Sequence, residues 1–186
     1  ESNFLVRSTA AEPGHVLLVA AKDAAVKALD AATRQSAQHA VIVLRDDDKP
    51  AARERFRTPL VFSVAEAKGL EYPHVLLVDL VSSQRQAYAE VAEGVAPADL
   101  EGEELDYRRA KDKADKSLEL YKFYVNALYV AMTRAVQTLT LVEADPDHPL
   151  LALLGMKAGE ATVQPARTST REEWALEARK LQLQGK

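Results

Sequence analysis

The chain of 186 residues contains no cysteine. Disulfide staples, thiol nucleophiles and cysteine-ligated zinc or iron–sulfur centres are therefore excluded. A basic excess is missing too: 24 lysines and arginines stand against 28 aspartates and glutamates, a net charge of −4. The whole-molecule field does not gather polyanions, so any contact with one has to be local. No apolar run approaches the ~18 residues of a membrane-spanning helix; runs such as Val16–Ala21 and Val75–Val78 have strand length, and no membrane partner is expected. The four histidines, His15, His39, His74 and His148, are scattered without ligand spacing, and no metal centre is expected. There is no Gly-x-Ser-x-Gly elbow for a serine nucleophile. Nor is there a Gly-x-x-x-x-Gly-Lys-Ser/Thr loop to wrap phosphates, the one Gly-Lys pair being Gly185-Lys186. The start, Glu1-Ser2-Asn3-Phe4-Leu5-Val6-Arg7, has neither the basic nor the apolar region of a signal peptide and no initiator methionine. A cytoplasmic piece of a longer protein is the expectation.

At 47% hydrophobic and 28% charged residues, the composition is that of a soluble globular domain rather than a disordered chain. Valine- and leucine-rich runs at Val16–Ala20, Val41–Leu44, Leu60–Val64, Val75–Leu80 and Leu139–Val142 read as strands. The first and fourth are continuous rather than alternating, which predicts a parallel sheet buried on both faces. Ala25, Leu29 and Ala32 recur at helical spacing between the first two, giving a β-α-β opening and an α/β class. Only about ten residues join the strand before Ser63 to the one at Val75, near the minimum for a crossover. From Asp99 to Glu119, 13 of 21 residues are charged, and residues 82–117 are expected to be a charged helical insertion. Leu118–Ala135 is apolar round most of its circumference and predicts a largely buried helix. Leu150–Leu154 starts a short helix ended by Gly155. Residues 1–155 are thus one domain; 156–169 read as a linker, and the Thr170/Glu173 capping box opens a final amphipathic helix carrying Trp174, Ala178 and Leu181.

Val75–Asp79 has the form of a strand ending in an acid, as in enzymes that hold magnesium beside a phosphate-binding loop. With that loop missing, Asp79 is read as a strand-end residue. Two segments carry more. Ser63-Val64-Ala65-Glu66-Ala67-Lys68-Gly69-Leu70-Glu71-Tyr72-Pro73 fills the tight crossover, and Leu128-Tyr129-Val130-Ala131-Met132-Thr133-Arg134-Ala135 ends a helix and leads into the last strand. Both set charged residues against apolar stretches at element ends, where α/β sheets present ligand-binding groups.

Together these segments resemble the last two motifs of the UvrD/Rep-like superfamily 1 helicases, a Thr-x-His-x-x-Lys-Gly-Leu-Glu-Phe stretch before a strand and a Val-Ala-x-Thr-Arg-Ala helix after it. The resemblance covers residues 60–143 and extends to the α/β unit before them, leaving 82–117 and 156–186 outside it. It implies a C-terminal RecA-like domain, a three-layer sandwich with a mainly parallel sheet of about five strands. It also implies ATP and Mg2+ held mainly by an N-terminal P-loop RecA-like domain of the same protein, and single-stranded DNA as a partner. Arg134 matches the family's arginine that reaches the γ-phosphate across the cleft. Glu71 matches the glutamate that accepts a hydrogen bond from the nucleotide sugar. Gly69 lets the backbone turn, Lys68 lies at the cleft, and Glu66 and Thr133 support it by hydrogen bonding. Where the family often has threonine and histidine against DNA, this chain has Ser63, which keeps a hydroxyl for a phosphate, and Ala65, which does not replace imidazole. Arg7-Ser8-Thr9 resembles part of an earlier arginine motif. The alternative is a degenerate helicase-like domain kept as a scaffold or regulatory module; an unrelated flavodoxin-like or receiver-like domain stands behind both.

Overall fold

In the computed structural model, which describes residues 13–101, 115–159, 163 and 166–186, five strands form one sheet with helices on both faces. The strands are β1 (His15–Ala20), β2 (His39–Val43), β3 (Val61–Ser63), β4 (Tyr72–Val78) and β5 (Ala135–Glu143). Their order is β1-β5-β4-β2-β3 and every neighbouring pair is parallel. The α/β class and the three-layer arrangement read from the continuous apolar runs are what the chain adopts. Ala40–Val43 and Val75–Val78 are buried without interruption, because these two strands lie inside the sheet and have helices on either side.

One face is covered by α1 (Ala25–Thr33) and α2 (Lys49–Arg55), whose Leu29 and Ala52 pack with Val19, Val41, Leu76 and Val142. The other carries α3 (Val64–Ala67), α4 (Arg85–Ala92), α6 (Asp115–Met132) and α7 (Pro149–Leu153), with α5 (Pro97–Glu101) between α4 and α6 in sequence. The final helix α8 (Arg171–Leu183) starts at the expected Thr170/Glu173 capping box and lays Trp174 and Leu181 against this second core. Each fully buried Leu or Val on these faces contributes about 1.5–3 kcal/mol.

Three expectations are corrected. The 82–117 stretch begins as core rather than as an excursion, since Tyr88 of α4 is fully buried and Val91 and Ala92 join it; residues 102–114 lie outside the described residues, as does Arg7-Ser8-Thr9. Helix α6 is not largely buried: Tyr124, Ala127 and Ala131 face the sheet, while Phe123 is 50% and Tyr129 66% exposed. A helix lying on one face of a sheet needs only one apolar stripe, and the i, i+3, i+7 set supplies it. The presumed linker is in part tied down, through a Leu18–Ala158 bridge at the β1 edge and a Ser169 hydroxyl that accepts from the Ala37 amide at 2.9 Å. No helix among the described residues is long and apolar enough to cross a membrane.

Candidate functional site

The crossover between β3 and β4 sets the first half of the site. Ser63 caps α3, its hydroxyl accepting from the Glu66 amide at 3.4 Å while Glu66 Oε2 accepts from the Ser63 amide at 2.9 Å. Glu66 also takes Lys49 Nζ at 2.8 Å. Burial alone would raise the Glu66 carboxyl, but the Lys49 and Ser63 hydrogen bonds outweigh it and hold the group below its ordinary range. This corrects two expectations by residue. Ser63 is 1% exposed with its hydroxyl spent on the cap, so it is not offered to a nucleic-acid phosphate. Glu66 braces the start of α3 rather than a cleft.

After one turn of helix the chain reverses at Gly69, whose φ of +84° is one that L side chains adopt only with strain. Leu70 then plugs the core at 1% exposure, and Lys68, Gly69 and Glu71 stay exposed. Pro73 follows inside β4. It has no N–H to give, and the β4–β5 ladder shifts register between Tyr72 and His74. The Tyr72 amide, on the site side of that irregularity, donates to the Arg134 carbonyl at 3.0 Å.

The second half is the end of α6. Thr133 Oγ1 donates back to the Tyr129 carbonyl at 2.8 Å. The Arg134 guanidinium donates from Nε to the Val130 carbonyl at 2.9 Å, from Nη1 to the Leu70 carbonyl at 3.1 Å and from Nη2 to Thr133 Oγ1 at 3.0 Å. Lys68, Gly69, Glu71, Thr133 and Arg134 are thus brought together across 64 residues of sequence, and Ser63 is left out. Thr133 thus bonds to the arginine beside it.

Both halves lie at the amino ends of β4 and β5. The usual ligand crevice of an open α/β sheet lies at the carboxyl ends, and here that end is differently made. A cavity of about 270 Å3 there is lined by Asp47, Asp48, Asp79, Ser82 and Ser83, a set of the wrong sign for phosphate. Asp79 itself sits at φ +46°, pairs with Arg55 Nη2 at 2.7 Å and accepts from the Ala144 amide at 2.8 Å. It is the strand-end residue the sequence suggested. Beside it Glu143, fully buried, accepts from the amides of Val81 and Ser82 and from the Ser82 hydroxyl. Burial raises its pKa, only partly opposed by those bonds.

Sequence reasoning missed the contribution of α8. Tyr72, 1% exposed, gives its hydroxyl to Glu177, which also pairs with Lys180 Nζ at 3.0 Å. Burial, then the Glu177 hydrogen bond, push the Tyr72 phenol well above its ordinary pKa. Lys180 lies 4.0 Å over the Tyr72 ring. The signal was in the sequence: Glu177 shares a helical stripe with Trp174, Ala178 and Leu181, and a carboxylate on an apolar stripe needs a buried partner.

Comparison with protein-family models, curated proteins and solved structures gave no match for this chain.

Proposed function

We propose that this chain is the C-terminal motor domain of a cytoplasmic UvrD/Rep-like superfamily 1 DNA helicase or translocase, acting on ATP bound by a separate P-loop domain. One observation carries the reading: the Lys68–Tyr72 and Thr133–Arg134 segments form a single unit bonded through both backbone and side chain at the amino ends of two adjacent interior strands. Cationic Lys68 and Arg134 are donors suited to a phosphate chain, and the acidic, exposed Glu71 is an acceptor suited to a sugar hydroxyl. Bound ATP supplies the γ-phosphoryl group, and Mg2+ is assigned to the P-loop domain.

Arg134 is the catalytic residue of this half-site. Phosphoryl transfer spreads negative charge over three oxygens, and a planar guanidinium pairs with two of them while staying charged. Its Nη2 holds the exposed Thr133 hydroxyl, the most solvent-accessible of its three ties. Glu71 accepts from the sugar hydroxyl, and Lys68 balances phosphate charge at the cleft. Gly69 provides the turn that presents both. Arginine contact before hydrolysis and loss of contact after it give the two nucleotide states different affinities for this domain, which is the condition for moving along single-stranded DNA.

The test is Arg134→Ala in the full-length protein. Nucleic-acid-stimulated ATPase falls by roughly 10³-fold or more with ATP binding largely kept; undiminished turnover refutes the assignment. The scaffold reading is favoured by two observations, the burial of Ser63 where a DNA contact was expected and the return of Arg134 onto its own helix. It requires a wild-type protein without stimulated ATPase.

A further inference from the structure

Four consecutive carbonyls of the candidate turn are each taken by a side chain. Lys186 Nζ donates to the Lys68 carbonyl at 2.8 Å and also to that of Glu66, Gln184 Nε2 to Gly69 at 3.3 Å, Arg134 Nη1 to Leu70 at 3.1 Å and Lys180 Nζ to Glu71 at 3.3 Å. Three of the four donors come from α8 or the residues that follow it. A further tie is the buried one, Tyr72 hydroxyl to Glu177. A backbone turn with glycine at positive φ has many shapes open to it, and donors spaced along α8 and the residues after it select one.

We infer that α8 is a positioning clamp for the Lys68–Tyr72 turn and, through the Leu70 carbonyl, for Arg134. Glu177, Lys180 and Gln184 are positioning residues: they act on the turn and leave the Lys68 and Glu71 side chains facing outward. The clamp is also releasable. A helix of 13 residues is marginal alone. Of its side chains only Glu177 is buried, whereas Leu176 and Leu183 are 68% and 80% exposed. Docking therefore hangs on the Glu177 network and on Trp174 and Leu181, which places α8 among the elements that open at low cost. Any ligand or partner that lifts α8 frees the turn. Only the effect on ATP turnover rests on the helicase reading.

Trp174 is the one tryptophan in the chain and lies on α8, so its emission reports docking. Glu177→Ala is expected to red-shift that emission and to speed hydrogen exchange at the Leu70 and Tyr72 amides by about tenfold or more, with Val41 and Leu141 unchanged. Glu177→Gln, which still accepts from Tyr72, restores most of the protection. Should Glu177→Ala fail to fold, the surface double variant Lys180→Met/Gln184→Ala serves for the same readouts. Unchanged exchange at Leu70 and Tyr72 once Trp174 has shifted overturns the clamp, as does a variant that moves neither. In the full-length protein the double variant lowers kcat for ATP with little change in KM; a wild-type kcat beside accelerated exchange removes the link from clamp to Arg134. If even Arg134→Ala leaves turnover intact while the exchange result holds, the helicase reading fails and the clamp stands.

Discussion

Replacing Glu143 by alanine tests whether the carboxyl end of the sheet is held by one buried carboxylate. Its two oxygens accept from the Val81 amide at 3.0 Å, the Ser82 amide at 2.9 Å and the Ser82 hydroxyl at 2.6 Å, and the residue is fully buried. Alanine leaves two amides without their acceptor, each costing about 1–3 kcal/mol if it stays dry. Relief from burying a charge, which is also what raises the Glu143 pKa, gives part of this back. A net loss of about 2–4 kcal/mol follows, a sizeable fraction of the ~5–15 kcal/mol that a domain has in total. At ~2–4 °C per kcal/mol for a chain of this size, Tm drops by roughly 4–16 °C. Denaturant unfolding at neutral pH measures it, with the midpoint moving and the slope unchanged. The Ser82 hydroxyl also accepts from the Asp145 amide at 3.0 Å, so the β5-to-α7 turn loosens as well and its amides exchange faster. A loss below ~1 kcal/mol refutes the reasoning, since it would mean water satisfies the two amides unaided.

Other outcomes follow from the same geometry. His39 and His74 stack at 4.4 Å on neighbouring strands; burial first, and the other imidazole second, lower His39 to about 4. Because the folded value lies below the ordinary 6.5, stability is whole above that pH and declines as pH falls from 6.5 toward 4. His39→Gln flattens that limb of a denaturation-versus-pH curve, and an unchanged slope counts against it. Glu143 has the opposite sign: a raised carboxyl stabilises most below pH 4.5 and loses its contribution as pH rises through the folded value, so Glu143→Gln removes that dependence. Gly69→Ala, at φ +84° with open space around it, costs about 1–2 kcal/mol, as does Gly94→Ala at φ +69°. Only the Gly69 change is expected to lower stimulated ATPase; equal effects on turnover would deny the turn its role.

The sheet was legible because the interior strands are unbroken aliphatic runs, and Ala40–Val43 and Val75–Val78 have no polar face to misread. Strand starts were less so: β4 begins at Tyr72 and β5 at Ala135, several residues ahead of the aliphatic runs, because Tyr72 pairs with Ala135 and His74 with Thr138 on either side of the irregularity at Pro73. Apolar count misled at α6, where sequence alone does not say which of Tyr121, Phe123, Tyr124 and Tyr129 meets the sheet. Ser63 was legible as a hydroxyl but not as a cap, although Ser-x-x-Glu at 63–66 is itself a capping box, the signal used correctly at Thr170. The α8 contacts pair residues more than a hundred positions apart, and no local pattern specifies a helix's distant carbonyl partners.

The two-way tie between Tyr72 and Arg134 also has a mechanical side. The amide of one holds the carbonyl of the other, and the arginine's Nη1 grips the carbonyl two residues before Tyr72. A pull on the guanidinium is therefore shared between β4 and β5 instead of peeling the end of α6 away from the sheet. These two strands run side by side along β4, from Tyr72 to Val78. Load entering at one side chain therefore passes into two paired interior strands at once.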